Sequence, residues 1–519
     1  MFYGDWLYRR EQLSPNDIAL IDAEQGNQRI SYRQWNARVN RMAHFFKHRL
    51  GIKKGDRLSI YSVNRVDYLD TIFACNKLGA ILQVLNWRLT SGELTRIINE
   101  VEPKALIFSK EWSTQLEELR LNLEPNVQYI NLDEAIVDDD LSWREEKENW
   151  ATTQPEPVEL DWEDPWVICY TGGTTGIPKG AILNYRAMTW NSINTVMSWG
   201  LRPDDVVPHY MPMFHTGGIN VMLLPIVHIG GTTIFCKSFD VEQLFDQIRD
   251  LGITFFFGVP VMLQQMVQHP RWESLDLSNV RLVMAGGGNC PTIVHKAFWQ
   301  KGVEFKEGYG LTEAGPNTFW LPKDEIKEKI GSVGRPLFHV DVKIVDESSQ
   351  ELGINQVGEL LVRGPHVFGG YWNRPEATEA VMENGWLHTG DIAKVDQDGC
   401  YYIVGRLKEM IKSGGENIYP AEIEDILHGH PSIAEAAVIP LPDDKWGEVG
   451  CAIVVPKLES KINEGDLITW MRDQMANYKV PKGVIFVESL PKTGANKVDK
   501  KLLMDKYINP EQEIDETQE

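Results

Sequence analysis

The chain is poor in several features that would have fixed its class at once. Cysteine is scarce, six in 519 residues. Cys75, Cys169, Cys236, Cys290, Cys400 and Cys451 stand singly, with no C-x-x-C pair and no histidine at metal-ligand spacing. That argues against structural zinc and for a reducing compartment. Positive charge is short too: 52 Lys and Arg face 74 Asp and Glu, a formal net charge of −22. A nucleic-acid groove or an anionic membrane surface would be repelled at long range, so neither is expected as the main partner. The longest apolar run, residues 219–229, is broken by Pro225 and too short to span a bilayer. The opening residues lack a basic segment followed by an apolar one, so no secretory signal is expected, and a cytoplasmic enzyme is the starting point. The G-x-x-x-x-G-K-[ST] spacing of the usual P-loop is missing as well, because Gly180 follows Lys179 where a magnesium-binding hydroxyl should stand.

What is there begins with Tyr170-Thr171-Gly172-Gly173-Thr174-Thr175-Gly176-Ile177-Pro178-Lys179-Gly180, directly behind the apolar run Trp166-Val167-Ile168-Cys169. A buried strand here delivers a hydroxyl-lined glycine loop. Glycines let main-chain N–H groups approach an anion, Thr171, Thr174 and Thr175 add donors, and Lys179 adds positive charge. The loop reads as a phosphate cradle of a kind other than the P-loop.

A chain of this length exceeds what one core normally serves, so at least two domains are expected. Helical patterns alternate with the apolar runs Arg57 to Tyr61, Ala105 to Phe108, Thr254 to Phe257 and Val280 to Ala285, which predicts α/β layers around buried sheets. From about Gly331 the texture turns strand-rich, with runs Val340 to Val345 and Gly358 to Arg363. A compact αβ pattern closes the chain: helix near Ala421 to Leu427, strands Ala436 to Ile439 and Cys451 to Val455, helix near Asp466 to Gln474. The expected fold is α/β. A large N-terminal domain of α/β-layered subdomains plus a β subdomain (1–404) is followed by a hinge (405–408) and a small α+β C-terminal domain (409–519).

Four further motifs carry chemistry. In Gly308-Tyr309-Gly310-Leu311-Thr312-Glu313 a ring between glycines can face a base, a hydroxyl can bond phosphate, and a carboxylate can hold a hard cation. Trp386-Leu387-His388-Thr389-Gly390-Asp391 ends in a carboxylate suited to accept from ribose hydroxyls. Gly405-Arg406-Leu407-Lys408 runs on to Lys412-Ser413-Gly414-Gly415, and Pro491-Lys492-Thr493-Gly494-Ala495-Asn496-Lys497 lies near the end.

This ordered set closely resembles the adenylate-forming superfamily of acyl-CoA synthetases, luciferases and peptide-synthetase adenylation domains, over about Asp17 to Lys500. The resemblance implies an AMP-forming acid–CoA ligase that uses ATP, Mg²⁺ and coenzyme A: acid and ATP give acyl-adenylate and pyrophosphate, the small domain rotates, and a thiol attacks. It implies that residues 171–179 cradle the β and γ phosphates, that Thr312 contacts the α-phosphate and that Glu313 binds Mg²⁺. Tyr309, Gly310 and Gly286-Gly287-Gly288 would enclose adenine, and Asp391 and Arg406 would hold ribose. Lys497 would bridge carboxylate and α-phosphate, and His215, in Met211-Pro212-Met213-Phe214-His215-Thr216-Gly217-Gly218, would gate the carboxylate. Lys408 matches the hinge position and Lys412 a position of the thioester-forming state, with Gly414 and Gly415 admitting the pantetheine arm. Two departures stand out: Asn496 where the family most often has glycine, and Gly172 in place of a frequent serine. Lys497 and the Lys412 loop cannot serve one centre in one pose, so the small domain must turn. A medium- or long-chain fatty acid is the preferred substrate, with an aryl acid next. Loading of a carrier protein and a non-catalytic nucleotide sensor are the alternatives. A homodimer is compatible with the sequence.

Overall fold

The computed structural model describes residues 4–508 apart from 125, 136, 138, 139, 172–177, 289, 415, 459, 461 and 494–496. The apolar runs become sheets. A seven-stranded sheet takes the order Leu141–Ser142, Gln128–Asn131, Ala105–Phe108, Arg57–Tyr61, Ile81–Val84, β1 (Pro165–Thr171) and β2 (Lys179–Asn184). Every neighbouring pair is parallel except β1 with β2. Strands covered on both faces are mostly apolar, which is why Ala105–Phe108 was legible as an unbroken run and Arg57–Tyr61 as a largely apolar one that also carries the buried Ser59. Helix α1 (Tyr185–Trp199) follows, started by the Asn184 side chain accepting from the Ala187 N–H at 2.8 Å and stopped by Gly200 at φ 58°.

A second parallel sheet contains β3 (Phe255–Gly258), β4 (Leu282–Ala285) and β5 (Glu304–Glu307). β4 starts two residues later than the sequence suggests. The Val280 N–H closes a turn to the Leu277 carbonyl at 2.9 Å, and Arg281 is drawn off to Asp205 at 2.6 Å. Register pairs Gly258 with Ala285 and Ala285 with Glu307, so the carboxyl ends of the three strands lie in one row. Ligand loops of parallel sheets sit at that end. Gly286 follows β4 there, and Gly308 follows β5. A four-stranded sheet runs Val206–His209, Thr232–Phe235, Ile18–Asp22 and Gln28–Ser31.

The strand-rich stretch is an antiparallel sheet of Asp341–Val345, Gly358–Arg363, β6 (Trp386–Val395), Met382–Glu383 and β7 (Tyr401–Arg406). The last lobe contains helix α2 (Pro420–His428), the hairpin Ile433–Asp443 with Gly447–Pro456, helix Glu464–Gln474 and strand Gly483–Phe486. Its hairpin outruns the predicted strands because the Asp443 carboxylate accepts from the N–H groups of Lys445 and Trp446, at 2.9 and 2.8 Å, and pins the turn. Ile411, Ile423, Leu427, Val438, Val454, Leu467 and Met471 give it a core of its own. All six cysteines are buried and unpaired, and among the described residues no helix is long and apolar enough to cross a membrane.

Candidate active site

The corner around Asp391 is built by sheet register. β6 and β7 pair Asp391 with Arg406, and Arg406 Nε lies 2.8 Å from Asp391 Oδ1. The Tyr309 hydroxyl donates to Asp391 Oδ2 at 2.5 Å. The Asp391 N–H donates to Thr389 Oγ1 at 3.0 Å, and that hydroxyl donates to the Leu360 carbonyl at 2.6 Å. Asp391 is 3% exposed. Burial raises its carboxyl pKa, while the Arg406 guanidinium, the Tyr309 hydroxyl and the Lys497 ammonium each pull it back. A carboxylate so fixed is an acceptor waiting for hydroxyl donors.

The segment after β5 is folded on itself. The Thr318 N–H donates to the Tyr309 carbonyl at 3.0 Å and the Leu311 N–H to the Gly315 carbonyl at 3.2 Å. A Cβ on Gly310 would lie 2.3 Å from the Gly315 oxygen, so only glycine fits there. This closed loop presents Thr312 and Glu313. Glu313 Oε1 accepts from Thr171 Oγ1 at 3.2 Å and from the Tyr371 hydroxyl at 2.8 Å. Lys179 Nζ is 5.1 Å from the centre of the Tyr371 ring. The end of β1, the start of β2 and Glu313 therefore meet, as the sequence implied. Gly172, Gly173, Thr174, Thr175 and Gly176 lie outside the described residues.

Tyr371 escaped the sequence reading. Its segment pairs with β2, the Gly369 N–H donating to the Ile182 carbonyl and the Trp372 N–H to the Gly180 carbonyl, each at 2.8 Å. The one signal was Gly369-Gly370-Tyr371-Trp372, a double glycine before aromatics. Among the described residues no group of three or more His, Cys, Asp or Glu could hold a metal by itself. A lone carboxylate beside a phosphate loop suits Mg²⁺, which keeps waters and takes substrate phosphate oxygens.

Lys497 arrives from the small lobe. Gly286 follows β4 with its Cβ position 2.7 Å from the Phe257 ring, and Gly287 turns at φ 85°. The Cβ position of Gly287 is 3.3 Å from Lys497 Cε and 3.8 Å from its Nζ. The Gly288 Cβ position meets only Pro260, at 3.9 Å. The Lys497 loop is held by the Thr493 N–H donating to the Lys497 carbonyl at 2.7 Å. Lys497 is exposed at the mouth of the cleft, yet crowding by protein, then the Arg406 charge, hold its ammonium pKa below the usual lysine value, against Asp391 and Glu409.

Lys412 is not brought to this centre. It lies on strand Ile411–Ser413, 66% exposed, with Nζ 3.8 Å from Glu347. Gly414 beside it turns at φ 60°, with its Cβ position 2.5 Å from the Trp446 ring, so glycine is required there; Gly415 lies outside the described residues. Lys408 is exposed on the short turn Leu407–Glu409. Glu409 of that turn accepts from Lys500 Nζ at 2.8 Å. His215 is half-buried against the Phe214 ring, centroids 4.5 Å apart. Its turn packs on β1, where the Cys169 thiol donates to the Phe214 carbonyl at 3.4 Å.

The AMP-binding enzyme family matches residues 7–372, and the AMP-binding enzyme C-terminal domain matches 422–497. The feruloyl-CoA synthase of an Amycolatopsis species is 38% identical over 95% of this chain and 97% of that protein. The indoleacetate–CoA ligase of Aromatoleum aromaticum is 35% identical over 96% and 97%. The long-chain-fatty-acid–CoA ligase FadD13 of Mycobacterium tuberculosis is 33% identical over 97% and 98%. Among solved structures, ATP-bound MatB from Rhodopseudomonas palustris superposes with a TM-score of 0.89 at 30% identity, covering 98% of this chain and 99% of that one. The o-succinylbenzoate coenzyme A synthetase of Bacillus subtilis with ATP and magnesium gives 0.85 at 29%, covering 97% and 99%. The chain belongs to the AMP-binding enzyme family, the adenylate-forming superfamily. Within it, the chain is an AMP-forming acid–thiol ligase whose co-substrates are ATP and CoA.

Proposed function

We propose that the acid is an aryl carboxylic acid, and that the chain converts it with ATP to aryl-adenylate and pyrophosphate, then with CoA to the aryl thioester and AMP. The preference for a fatty acid gives way because the feruloyl- and indoleacetate-named relatives, at 38% and 35% identity, stand above the fatty-acid ligase at 33%. The observation that carries the reaction is the approach of Lys497 to Gly287, beside the Tyr309–Asp391–Arg406 cluster.

Each residue then has work to do. The Asp391 carboxylate accepts from the ribose hydroxyls while Arg406 fixes its orientation. Tyr309 and the turn Gly286 to Gly288 flank adenine, with Gly310 closing the loop beside it. Thr312 donates to the α-phosphate, and residues 171–179 hold the β and γ phosphates. Glu313 would hold Mg²⁺, which would supply charge to offset the leaving pyrophosphate. One carboxylate oxygen of the acid attacks the α-phosphorus, the bond to the β-phosphate oxygen breaks, and the Lys497 ammonium offsets the negative charge where the two anions meet. His215 borders the carboxylate. For the second step the C-terminal lobe (409–519) turns about 405–408, withdrawing Lys497 and bringing Lys412 with the Gly414-Gly415 turn to the thiol's path. The Lys500–Glu409 pair supports that boundary, since it fastens Glu409 to the small lobe.

A panel of aryl and aliphatic acids assayed by pyrophosphate release, without and with CoA, tests the reading. Hydroxamate should form from aryl acids when hydroxylamine replaces CoA, and AMP should be released with the thioester. ADP as product would overturn the reaction, and turnover confined to aliphatic acids would overturn the substrate class.

A further inference from the structure

Helix α1 carries asparagines where a core helix should be apolar. Asn191, Asn194 and Thr195 all face inward, Asn194 only 1% exposed. Neither Oδ1 nor Nδ2 of Asn194 has a hydrogen-bond partner among the described residues. Oδ1 of Asn191 and Oδ1 of Asn220 are likewise unmatched, although both amide nitrogens are used. Asn191 Nδ2 donates to the Asn220 carbonyl at 2.7 Å, and Asn220 Nδ2 to Thr216 Oγ1 at 3.2 Å. Asn317 completes the group, its Nδ2 donating to Thr195 Oγ1 at 2.5 Å.

The group lies where three segments meet, two of them adjoining candidate site residues. One is α1. Another is the turn Gly217–Val221, two residues beyond His215. The third is the stretch after β5 that presents Thr312 and Glu313, whose Gly315 has its Cβ position 3.0 Å from Asn191 Oδ1. Apolar walls adjoin: Val196, Val221, Met222, Phe257 and Met284 pack together, and Phe257 lies under Gly286. Apolar walls with a few convergent polar atoms are the make-up of a small-molecule pocket. An unmet buried hydrogen bond is costly, so four such atoms together are expensive in a core that no ligand completes.

We propose that Asn194, with Asn191 and Asn220 beside it, forms the polar end of the acid pocket and pairs with a hydroxyl on the ring of a phenolic acid. An amide offers one acceptor and two donor hydrogens, and a phenol can both donate and accept, so one hydroxyl can engage both sides of Asn194. The inference rests on the aryl-acid reading and names the ring substituent within it.

The test compares kcat/KM for a cinnamic acid with and without a ring hydroxyl, in the wild type and in Asn194→Leu, with thermal melting alongside. A site built to bond a hydroxyl rejects the analogue lacking it strongly, so the wild type should favour the phenolic acid by about tenfold or more. In Asn194→Leu that preference should fall to within about twofold, the loss lying with the phenolic acid. Asn194→Ala reports the same ratio should the leucine variant not fold. An unchanged preference with a raised melting temperature would make Asn194 a core residue and overturn the inference. Wild-type turnover of aryl acids without hydroxyl preference would overturn it and leave the aryl reading standing; turnover of aliphatic acids alone would remove both.

Discussion

The corner that holds Asp391 and Glu313 and the two lysine loops of the small lobe are held in opposite ways. Asp391 is fixed from three sides: by Arg406 through sheet register, by Tyr309 through a hydroxyl and by Thr389 through its own N–H. Glu313 is fixed by Thr171 and Tyr371. Among the described residues Lys497 and Lys412 have no such shells. The first is anchored through its own turn and lies in open contact with Gly287; the side-chain nitrogen of the second comes within 3.8 Å of an exposed Glu347. An exposed pair of that kind contributes about 0–1 kcal/mol. On the proposed function, groups that recognise a fixed ligand are braced, and charges that take turns are carried on surfaces cheap to separate.

The hardest way to break this contrast is to exchange the lysines' consequences. Lys497→Ala should slow acid-dependent pyrophosphate–ATP exchange roughly a hundredfold or more, about 3 kcal/mol of lost charge stabilisation, while thioester formation from supplied aryl-adenylate persists. Lys412→Ala should do the reverse, cutting the thioester step by about tenfold with exchange nearly intact. If both variants damaged the same half-reaction, the division of labour between the loops would be wrong.

Next in size is the braced side. Asp391→Asn keeps the shape but loses the charge that pairs with Arg406 and accepts from ribose. Such charge-assisted bonds contribute about 1.5–3 kcal/mol, so kcat/KM for ATP should fall roughly thirtyfold with the melting temperature little changed. A fall in stability without a change in ATP dependence would recast the cluster as structural.

The two regions also differed in how far the sequence disclosed them. Asp391, Arg406, Tyr309 and Glu313 sit in short motifs whose order carried the family resemblance, so the residues could be read although only Arg406 ends a strand, Asp391 lying within β6 and Tyr309 and Glu313 beyond β5. Some strand bounds moved where a side chain intervened, as with Arg281 leaving for Asp205 and Asp443 pinning its hairpin. Tyr371 could not be read, because its role comes from the pairing of residues 369–372 with β2, a contact between segments far apart in the chain. The Asn194 group was hidden for the same reason: one asparagine on a helix is unremarkable until its buried, unmatched amide is seen beside two others. Tyr371→Phe tests the missed contact. Loss of one hydrogen bond to Glu313 should cost about 1 kcal/mol, roughly fivefold, and should raise the Mg²⁺ concentration needed for half-maximal exchange. Unaltered Mg²⁺ dependence would detach Tyr371 from the site.

The smallest effect is a shift along the pH axis. The working form of Lys497 is its ammonium, and its pKa is held below the ordinary lysine value by crowding and by Arg406. Raising the pH through that lowered value removes the charge, so wild-type pyrophosphate exchange should decline on the alkaline side before an ordinary lysine would titrate. Lys497→Arg keeps a charge that does not titrate in that range. Whatever exchange activity it retains should lose the alkaline decline. Thioester formation from supplied aryl-adenylate should show no such difference between the two proteins, because the proposed turn of the small lobe withdraws Lys497 by then. An alkaline decline of equal position in wild type and Lys497→Arg would assign the titration to another group and leave the lowered pKa of Lys497 without a kinetic consequence.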